Sequence, residues 1–538
     1  MKDAHSQRCS IVKHYHQETK HFPDHPARSS GYMDWQNQPA PFRDYLGAPQ
    51  IKLPLQQQER SLSYQTLYQA DLVPAAEVSL NTIAIMLELG MGLSAWKKYG
   101  DTQWALRMNP SSGNLHPSEC YLVLPECAQQ KASVCHYQPY LHVLEETALL
   151  NTEQAECFKT LDGFALILTS IAWREAWKYG ERAYRYCQLD LGHALGSLRY
   201  ACQLNGWKMT MLPQVDEHCL DHFLGLENRD RHNSEAEHGA CLCWISTKKP
   251  HIEKITAWFA AQNTPDYPYP PNRLSEEHID WTIIHSVQLA ARSYAEELEL
   301  QQPLTSVQQD KIQSSYSAET IIRKRRSAQE YELNSSHITL AVFIHSLAKT
   351  LTTQTCPLDI YPHASEVHFA VFVHAVQGLE PGLYMLVRSP LHLTQLQEQC
   401  DRNFLWQEVQ AGVPLFLLKK GDFRQQAREI SCQQAIASDS AYSLAMIARF
   451  DKLLSNTPSM YARLFWECGL LGQLLYLEAE AFSMRGTGIG CFFDDQMHEL
   501  LGLKDQQWQD LYHFTVGKQR DDPRLQTKAP YWHLQRKI

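Results

Sequence analysis

The stretch RMNPSSGNLHPSECYLV, Arg107 to Val123, decides how the chain is organised, because a degraded copy of it returns as CPLDIYPHASEVHFAV, residues 356–371. Glu119 aligns with Glu366 at an offset of 247, and no gap is needed. The small polar run SSGN of the first copy is replaced by LDIY in the second. This pattern is expected of a duplicated chain that keeps one working site out of two.

A second pair of segments supports the repeat. DLGHALGSLRYACQLNGWKMTMLPQVDEHCLDHFLGL, residues 190–226, aligns with ECGLLGQLLYLEAEAFSMRGTGIGCFFDDQMHELLGL, residues 467–503, at an offset of 277. Glycines match as well as leucines, which chance similarity between apolar helices does not explain. The period is too long for a solenoid, so the sequence predicts two domain-sized copies.

Length and composition restrict the class of protein. A chain of 538 residues exceeds what one hydrophobic core usually supports, so two domains are expected. The net charge of −10 argues against a nucleic-acid partner, which requires basic surface. No apolar run is long enough to span a membrane, and the N-terminus lacks the apolar segment of a secretory signal. We therefore expect a cytoplasmic protein without a membrane partner.

The cysteines predict neither disulfides nor a metal site. They number 15, an odd count, and are scattered along the chain, many within apolar runs. Reduced core cysteines in a cytoplasmic protein fit this distribution. Cys241 and Cys243 have no second pair at zinc-site spacing, and His14 and His16 are an equally weak metal signal. No metal is predicted.

Changes in composition divide the chain into four predicted segments. Residues 1–60 are polar and proline-dotted and indicate an extended arm, and residues 61–262 form the first copy. Residues 263–314 read as a proline-rich linker with a connecting helix, and residues 315–538 form the second copy. Within each copy, strands alternate with long helices, which predicts an α+β fold with a sheet flanked by helices.

A basic cluster opens the second copy. IIRKRRSAQEY, residues 321–331, places Arg325 and Ser327 among further cations, and guanidinium groups with a hydroxyl suit a phosphate. The corresponding heptad of the first copy, QTLYQAD, has no cation. Each copy has thus lost what the other keeps. The simplest model is a fused pseudo-dimer with one composite site between its halves.

Several motifs in the same order resemble the FMN-dependent nitroreductase superfamily. RRSAQEY is similar to the family's RRSxRxF, and RMNPSSGNLHPSECY to its PS-x-G loop. GTGIGCFFDD and LYHFTVGKQRDDPRL resemble its C-terminal motifs. The chain looks most like the twin-domain members near the azoline-oxidase branch, the SagB/ThcOx-type dehydrogenases. The resemblance implies two tandem nitroreductase-like domains, each with a mostly antiparallel central sheet, arranged as an intramolecular pseudo-dimer.

The resemblance also implies FMN as the cofactor and assigns its contacts. Arg325 and Ser327 would hold the phosphate, although Gln329 stands where the family usually has a third cation. The remaining residues implied to contact the flavin are Arg107, Ser111, Ser112, Asn114, Gly490, Cys491, Lys518, Arg520 and Arg524, with the choice among the last three left open.

Lys178 and Tyr179 in AWKYGERAYRYC match a Lys-Tyr pair that lies over the flavin in the azoline-oxidase branch. The resemblance implies that they assist proton removal from a substrate. The corresponding part of the second copy, SNTPSMYARLFW, lacks the pair. A surface lysine beside a packing tyrosine is the alternative.

Three functions remain open on the sequence. One is dehydrogenation of a small-molecule or peptide substrate, which the Lys-Tyr pair favours. Another is reduction of a nitro- or quinone-type electrophile with NAD(P)H as the donor. The third is a protein that sequesters or senses flavin without turnover, with the N-terminal arm as a lid.

Overall fold

Two seven-stranded antiparallel sheets organise the part of the chain that the structure describes, residues 2–69, 72–127, 130–228, 235–293, 312–352 and 354–534. The structure is a computed structural model. One sheet belongs to the copy-one unit, Arg28–Leu298 with Arg524–Ile538. The other belongs to the copy-two unit, Met1–Ala27 with Glu299–Pro523.

The helices, in chain order, are α1 Lys2–Glu18, α2 Leu80–Gly90, α3 Thr152–Lys159, α4 Ala172–Tyr179, α5 Ala183–Leu204, α6 Glu217–Phe223, α7 Ile252–Ala260, α8 Thr282–Ala290, α9 Ala318–Lys324, α10 Leu340–Lys349, α11 Leu393–Gln399, α12 Arg424–Ile430, α13 Ala435–Ser438, α14 Asp451–Asn456, α15 Met460–Ala481 and α16 Asp494–Leu501.

The strands are β1 Gln50–Lys52, β2 Leu93–Tyr99, β3 Thr102–Arg107, β4 Ser118–Leu124, β5 Ser133–Gln138, β6 Val143–Leu149, β7 Phe164–Ile171, β8 Lys208–Met211, β9 Glu237–Ser246, β10 Ile338–Thr339, β11 Val367–Val373, β12 Val376–Gln377, β13 Gly382–Leu386, β14 Gln407–Gln410, β15 Val413–Lys420, β16 Tyr442–Arg449, β17 Arg485–Ile489, β18 Trp508–Gly517 and β19 Gln526–Lys528.

The copy-one sheet has the strand order β1-β6-β5-β4-β7-β9-β8. Its interior strand β7, FALILTSI, is buried along its whole length, as its run of apolar residues predicts. Every residue of α5 is buried too. Small residues let neighbouring helices approach α5 closely. A Cβ on Gly90, the last residue of α2, would lie 2.7 Å from Leu198 Cδ2 of α5.

The copy-two sheet has the order β14-β15-β13-β11-β16-β18-β17, and its six strands from β15 to β17 follow the same order as the six from β6 to β8 in copy one. The edge strands differ, because β1 precedes all the other strands of its sheet, whereas β14 directly precedes β15. Helix α15 is buried along its 22 residues, like the 22-residue α5. The two helices begin at Ala183 and Met460, an offset of 277, and β8 and β17 begin at the same offset. The structure therefore confirms the predicted α+β fold, with two units of similar topology in one chain.

The ungapped alignment around the polar loop is wrong, however. The 3-10 turn of the first loop begins at Ser112 and that of the second at Leu358, an offset of 246. The strands that follow begin at Ser118 and Val367, an offset of 249. The second copy thus has three extra residues between turn and strand. Sequence matching missed these residues because side chains alternate between the two faces of a strand. An alignment shifted by two residues therefore keeps every side chain on the same face.

The sequence predicted an extended N-terminal arm over residues 1–60. This prediction is wrong for the first part of the arm, which forms the helix α1. Val12 and Tyr15 are fully buried, and His16 bonds to Tyr461 and Gln509 at 3.3 and 3.0 Å. Lys13 bonds to Asp451 at 2.5 Å. These contacts place α1 in the copy-two unit. The predicted boundary at residue 60 therefore differs from the observed division at Ala27.

The last residues of the chain, although they follow copy two, belong to the copy-one unit. Strand β19 pairs with β2 of copy one, and the Tyr531 hydroxyl oxygen accepts a hydrogen bond from the Leu93 N–H at 2.9 Å. The predicted copy two, 315–538, thus contributes its last residues to the copy-one unit. The predicted connecting helix is described only as α8, because residues 294–311 lie outside the described part. No described helix is long and apolar enough to cross a bilayer.

Candidate functional site

The polar loop of copy one has an irregular backbone. Ser111 is extended, whereas Gly113, Asn114 and His116 have φ of 58°, 60° and 52°. Two of these three are non-glycine residues in the left-handed region, a costly conformation that occurs more often at functional sites. Ser111, Ser112 and Asn114 are partly buried, and Gly113 is exposed.

Hydrogen bonds fix this loop from within. The Asn114 side-chain amide donates to the Ala105 carbonyl at 2.8 Å, and His116 Nε2 donates to Asn114 Oδ1 at 3.0 Å. The His116 N–H donates to Ser111 Oγ at 2.8 Å. The side chains that the sequence assigned to a ligand therefore also hold the loop in its shape.

Asp190 of the buried helix α5 is hydrogen-bonded to the loop. Its carboxylate accepts from the Ser112 N–H at 3.0 Å and from the Ser112 hydroxyl at 3.1 Å. Burial raises the pKa of Asp190 to about 7, in spite of the serine hydrogen bonds that oppose the rise. A carboxyl group that titrates near neutral pH is thus bonded directly to the loop.

Lys178 and Tyr179 lie against the same loop. They end α4, and a Cβ on Gly113 would lie 2.7 Å from the Tyr179 hydroxyl and 3.3 Å from Lys178 Nζ. The ammonium group sits 5.1 Å from the Tyr179 ring centroid. A side chain at position 113 would displace the Tyr179 hydroxyl, and the φ of 58° also favours glycine there. The structure brings the predicted catalytic pair and the predicted flavin loop together within one unit.

Glu175, one turn before Lys178 on α4, is a further residue of this site. It is fully buried, and burial, reinforced by the charge of Asp190, raises its pKa well above the usual range, while Lys178 acts in the opposite direction. The sequence did not identify Glu175 or Asp190. The available signal was an acidic residue beside the aromatic and basic residues of WREAWKY, and another between the two leucines of LDLGH.

Arg107 is buried at the end of β3, and its guanidinium donates to the Pro41 carbonyl at 2.6 Å. It also lies 5.1 Å from the Phe42 ring centroid. Burial lowers the pKa of Arg107 to about 10. These contacts tie the strand to the segment around Pro41, and they are structural contacts for a residue that was predicted to bind the cofactor.

The basic cluster of copy two is held against the edge strand β17. Ala328 donates its N–H to the Gly486 carbonyl at 3.2 Å, and its own carbonyl accepts from the Thr487 hydroxyl at 2.8 Å. Arg325 is buried, 5.2 Å from the Tyr476 ring centroid, and Ser327 is exposed with its hydroxyl 2.7 Å from that of Tyr476. Arg325 and Ser327 are therefore fixed on one short segment.

Positive charge is concentrated around Arg325. Burial lowers its pKa, and Arg485 lowers it further, whereas Tyr476 and Glu480 raise it. Burial, Arg325 and Arg485 together lower the pKa of Arg326 to about 9. Glu480 bonds to Arg485 at 2.7 Å. An anion bound here would relieve the repulsion among the guanidinium groups.

The three C-terminal cations are placed differently from one another. Lys518 Nζ lies 3.4 Å from the Ser483 carbonyl, and Arg520 lies 3.9 Å from Glu330, with both side chains mostly exposed. Arg524 lies 5.6 Å from the Tyr99 ring centroid and belongs to the copy-one unit. Of the three, only Lys518 and Arg520 share a unit with Arg325.

Gly490 and Cys491 form the turn between β17 and α16, as the sequence predicted. Both are partly buried, and the Cys491 carbonyl accepts from the Gln434 amide at 3.1 Å. The segment of Arg325 is bonded to β17 and the glycine turn directly follows β17, so both are positioned by the same strand. The predicted site residues therefore form two sets, one on each unit.

No group of three or more His, Cys, Asp or Glu side chains that could hold a metal ion occurs in the described residues. Cys241 and Cys243 are buried in the strand β9.

Comparisons with known proteins bear on the fold. No protein-family model matches the chain, and no curated protein matches it significantly. The structure of a candidate nitroreductase from Anabaena variabilis is similar over 95% of this chain and 99% of its own, with a TM-score of 0.69 and 20% identity.

Two further structures match over shorter parts. A candidate nitroreductase from Ralstonia eutropha covers 41% of this chain and 98% of its own, at 14% identity and a TM-score of 0.28. A chain of the E. coli microcin synthetase McbBCD complex, with truncated pro-MccB17 bound, covers 45% and 93%, at 18% identity and a TM-score of 0.27. Both scores are too low to bear on the fold. The first comparison, together with the repeated sheet, shows that this chain has a two-domain nitroreductase-like fold.

Proposed function

We propose that the chain is an FMN-dependent oxidoreductase with one flavin site, to which both copies contribute. The observation that supports this most directly is the way the site residues divide. The polar loop, Lys178 and Tyr179 converge in the copy-one unit, whereas the basic cluster and the glycine turn converge in the copy-two unit. Neither set alone has both a cation cluster and the polar loop.

The residues of the basic cluster fit the phosphate of FMN. A phosphate carries up to two negative charges and accepts forked hydrogen bonds from guanidinium groups. Arg485 lowers the pKa of both Arg325 and Arg326, Arg325 also lowers that of Arg326, and the Glu480 carboxylate raises both. The exposed Ser327 hydroxyl supplies a further donor on the same segment.

The loop of copy one fits the role of a polar edge beside the isoalloxazine and ribityl groups. Its backbone is fixed by Asp190 and by Asn114, so that little conformational entropy is lost on binding. The missing side chain of Gly113 leaves room for the Tyr179 hydroxyl and Lys178 Nζ beside the loop. When bound, FMN would supply the hydride chemistry, and the protein would supply orientation and proton transfer.

Lys178 and Tyr179 are proposed as the acid/base pair. Their polar ends meet at Gly113, within reach of whatever lies against the loop. A proton taken from a substrate carbon or nitrogen needs such an acceptor, whereas reduction of an electrophile by NAD(P)H needs no lysine. We therefore favour dehydrogenation of a small-molecule or peptide substrate over NAD(P)H-dependent reduction.

Stopped-flow spectroscopy of the FMN-loaded protein separates the alternatives. Rapid bleaching of the flavin by NAD(P)H would favour the reductase. Bleaching by an azoline-containing peptide but not by NAD(P)H would favour the dehydrogenase. A flavin that neither class of donor reduces would favour a protein that only holds flavin.

Arg325→Ala tests the phosphate contact. Losing one charge-assisted contact should cost about 1.5–3 kcal/mol, which weakens FMN binding roughly ten- to a hundred-fold. Arg402→Ala, which removes an exposed arginine elsewhere in the same unit, is the matched control and should leave affinity unchanged. Equal FMN affinity of wild type and Arg325→Ala, measured by fluorescence titration, would show that the phosphate is not held by this cluster.

A further inference from the structure

Cys432 and Cys491 bring their sulfur atoms within 2.7 Å of each other. Cys432 lies between α12 and α13, and Cys491 lies in the turn between β17 and α16. The two residues are 59 positions apart in sequence, so tertiary structure and not a local turn creates this contact. A disulfide has an S–S bond of about 2.05 Å. The two sulfurs therefore lie close to bonding distance.

Hydrogen bonds on both sides of the contact hold the two segments together. The Phe493 N–H donates to the Ile430 carbonyl at 2.8 Å. The Gln434 amide donates to the Ser431 carbonyl at 2.8 Å and to the Cys491 carbonyl at 3.1 Å. The cysteines thus face each other across a fixed gap, which lowers the entropic cost of closing a bond between them.

The backbone around Cys432 is unusual. Cys432 and Gln433 have φ of 52° and 61°, so two consecutive residues with side chains adopt the left-handed region. Such conformations persist where the surrounding structure imposes them, and they occur more often at functional sites. Both cysteines are partly exposed, so a small molecule can reach them.

The pair belongs to copy two alone. At the offset of 277 that relates β8 to β17, Gln214 of copy one stands opposite Cys491. Fold maintenance in this turn therefore does not require a thiol. The pair also differs from Cys241 and Cys243, which are buried on one strand.

We propose that Cys432 and Cys491 are a redox-active dithiol that closes to an intramolecular disulfide when it meets a low-molecular-weight disulfide such as oxidised glutathione. One thiolate attacks a glutathione sulfur, which breaks the glutathione disulfide and releases one glutathione thiolate. The second cysteine thiolate then attacks the protein sulfur of the mixed disulfide and releases the other. The two protons of the cysteine thiols end on the two glutathiones, and the protein loses two electrons. This inference does not depend on flavin binding.

The full-length protein is incubated in glutathione buffers of increasing oxidised fraction, quenched with acid, alkylated and digested. A peptide that joins the segments of Cys432 and Cys491, lighter by two hydrogen atoms than the two reduced peptides together, should become the major species. Return to excess reduced glutathione should restore both thiols. In Cys432→Ser the crosslink should be absent, and Cys491 should carry a glutathione adduct instead.

The exposed Cys127 and Cys157 serve as internal controls, since no intramolecular crosslink is expected of them. Two results would overturn the proposal. One is that both cysteines remain alkylatable in the most oxidising buffer. The other is that the wild-type protein accumulates glutathione on both of them without forming the crosslink.

Discussion

At the scale of single residues, the contact of Lys178 and Tyr179 with Gly113 gives a direct test of the proposed acid/base role. Lys178→Ala and Tyr179→Phe should spare FMN binding, because the proposal assigns these two side chains to proton transfer with the substrate and not to holding the flavin. Both should slow reduction of the bound flavin by a substrate that must lose a proton, by about 10²–10⁴-fold. Single-turnover kinetics measure this step. Unchanged rates in both variants would favour the reductase function instead.

Asp190 gives the second residue-scale prediction. Its pKa of about 7 in the folded protein lies above the ordinary 3.8, so between these values only the unfolded chain ionises. The stability associated with the protonated carboxyl is therefore complete below the lower value and is lost as pH rises toward 7. Between pH 5 and pH 7 this loss amounts to about 2–3 kcal/mol.

Asp190→Asn removes the titration, so the stability of this variant should fall less over that interval than that of the wild type. Urea denaturation at pH 5, 6 and 7 measures the difference. The exposed Asp101→Asn is the matched control and should follow the wild type. Parallel wild-type and Asp190→Asn curves would show that Asp190 does not titrate in this range.

These residues also show what the sequence could reveal about the site. Lys178 and the polar loop were identified because the resemblance marks them and the second copy lacks them. Glu175, Asp190 and Cys432 were missed, because their roles arise from burial and from contacts between distant segments. The position of Asp190 in a mostly apolar helix does not reveal that its carboxylate bonds to the polar loop. Nothing in the sequence indicates that Cys432 meets Cys491 across 59 residues.

At the scale of elements, a buried ion network joins β4, β5, β6 and α4 of copy one. His136 bonds to Glu119 and Glu145, both at 2.9 Å, and Arg174 bonds to Glu119. Burial disfavours the charged forms of Glu119 and His136. Arg174 and His136 nevertheless lower the pKa of Glu119 to about 2. The bonds to Glu119 and Glu145 raise the pKa of His136 to about 9 against the same burial.

Glu119→Ala would leave Arg174 and His136 buried without their shared carboxylate. Breaking a buried ion pair in this way should lower the free energy of unfolding by about 3–5 kcal/mol. The exposed Glu153→Ala should change it by less than about 0.5 kcal/mol. Chemical denaturation at pH 7 compares the variants. A loss for Glu119→Ala no larger than for Glu153→Ala would contradict a stabilising role of the network.

Regular elements were predictable where periodicity and length agree, as in β7 and in the paired helices α5 and α15. The helix α1 was not. Its sequence, KDAHSQRCSIVKHYHQE, has too few apolar residues for an amphipathic stripe. It is held by the polar contacts of His16 and Lys13 with residues more than 430 positions away. Long-range polar contacts of this kind leave no local pattern.

At the scale of the whole molecule, the terminal segments do not follow the boundaries of the repeat. The first 27 residues belong to the copy-two unit, and residues from Arg524 onward belong to the copy-one unit. The repeat was visible in the sequence, but this exchange of ends was not, because neither α1 nor β19 has a counterpart in the other copy. Each unit therefore requires chain from both ends of the protein, and we expect neither copy to fold properly when expressed without its distant segment.

The number of flavins per chain is the prediction that belongs to the whole molecule. A composite site predicts one FMN per chain, because the polar loop and the basic cluster each occur once. Titration of the apoprotein with FMN counts the sites. Ser112→Ala with Asn114→Ala alters one half, and Arg325→Ala alters the other, so that each variant should weaken the same single site. At an FMN concentration that just saturates the wild type, both variants should therefore lose most of their flavin, whereas Arg402→Ala should keep it. Two independent sites predict a different result, namely about two flavins in the wild type and one retained at full affinity in each variant. That outcome would refute a shared site, because a change in one copy would then leave the site of the other copy intact.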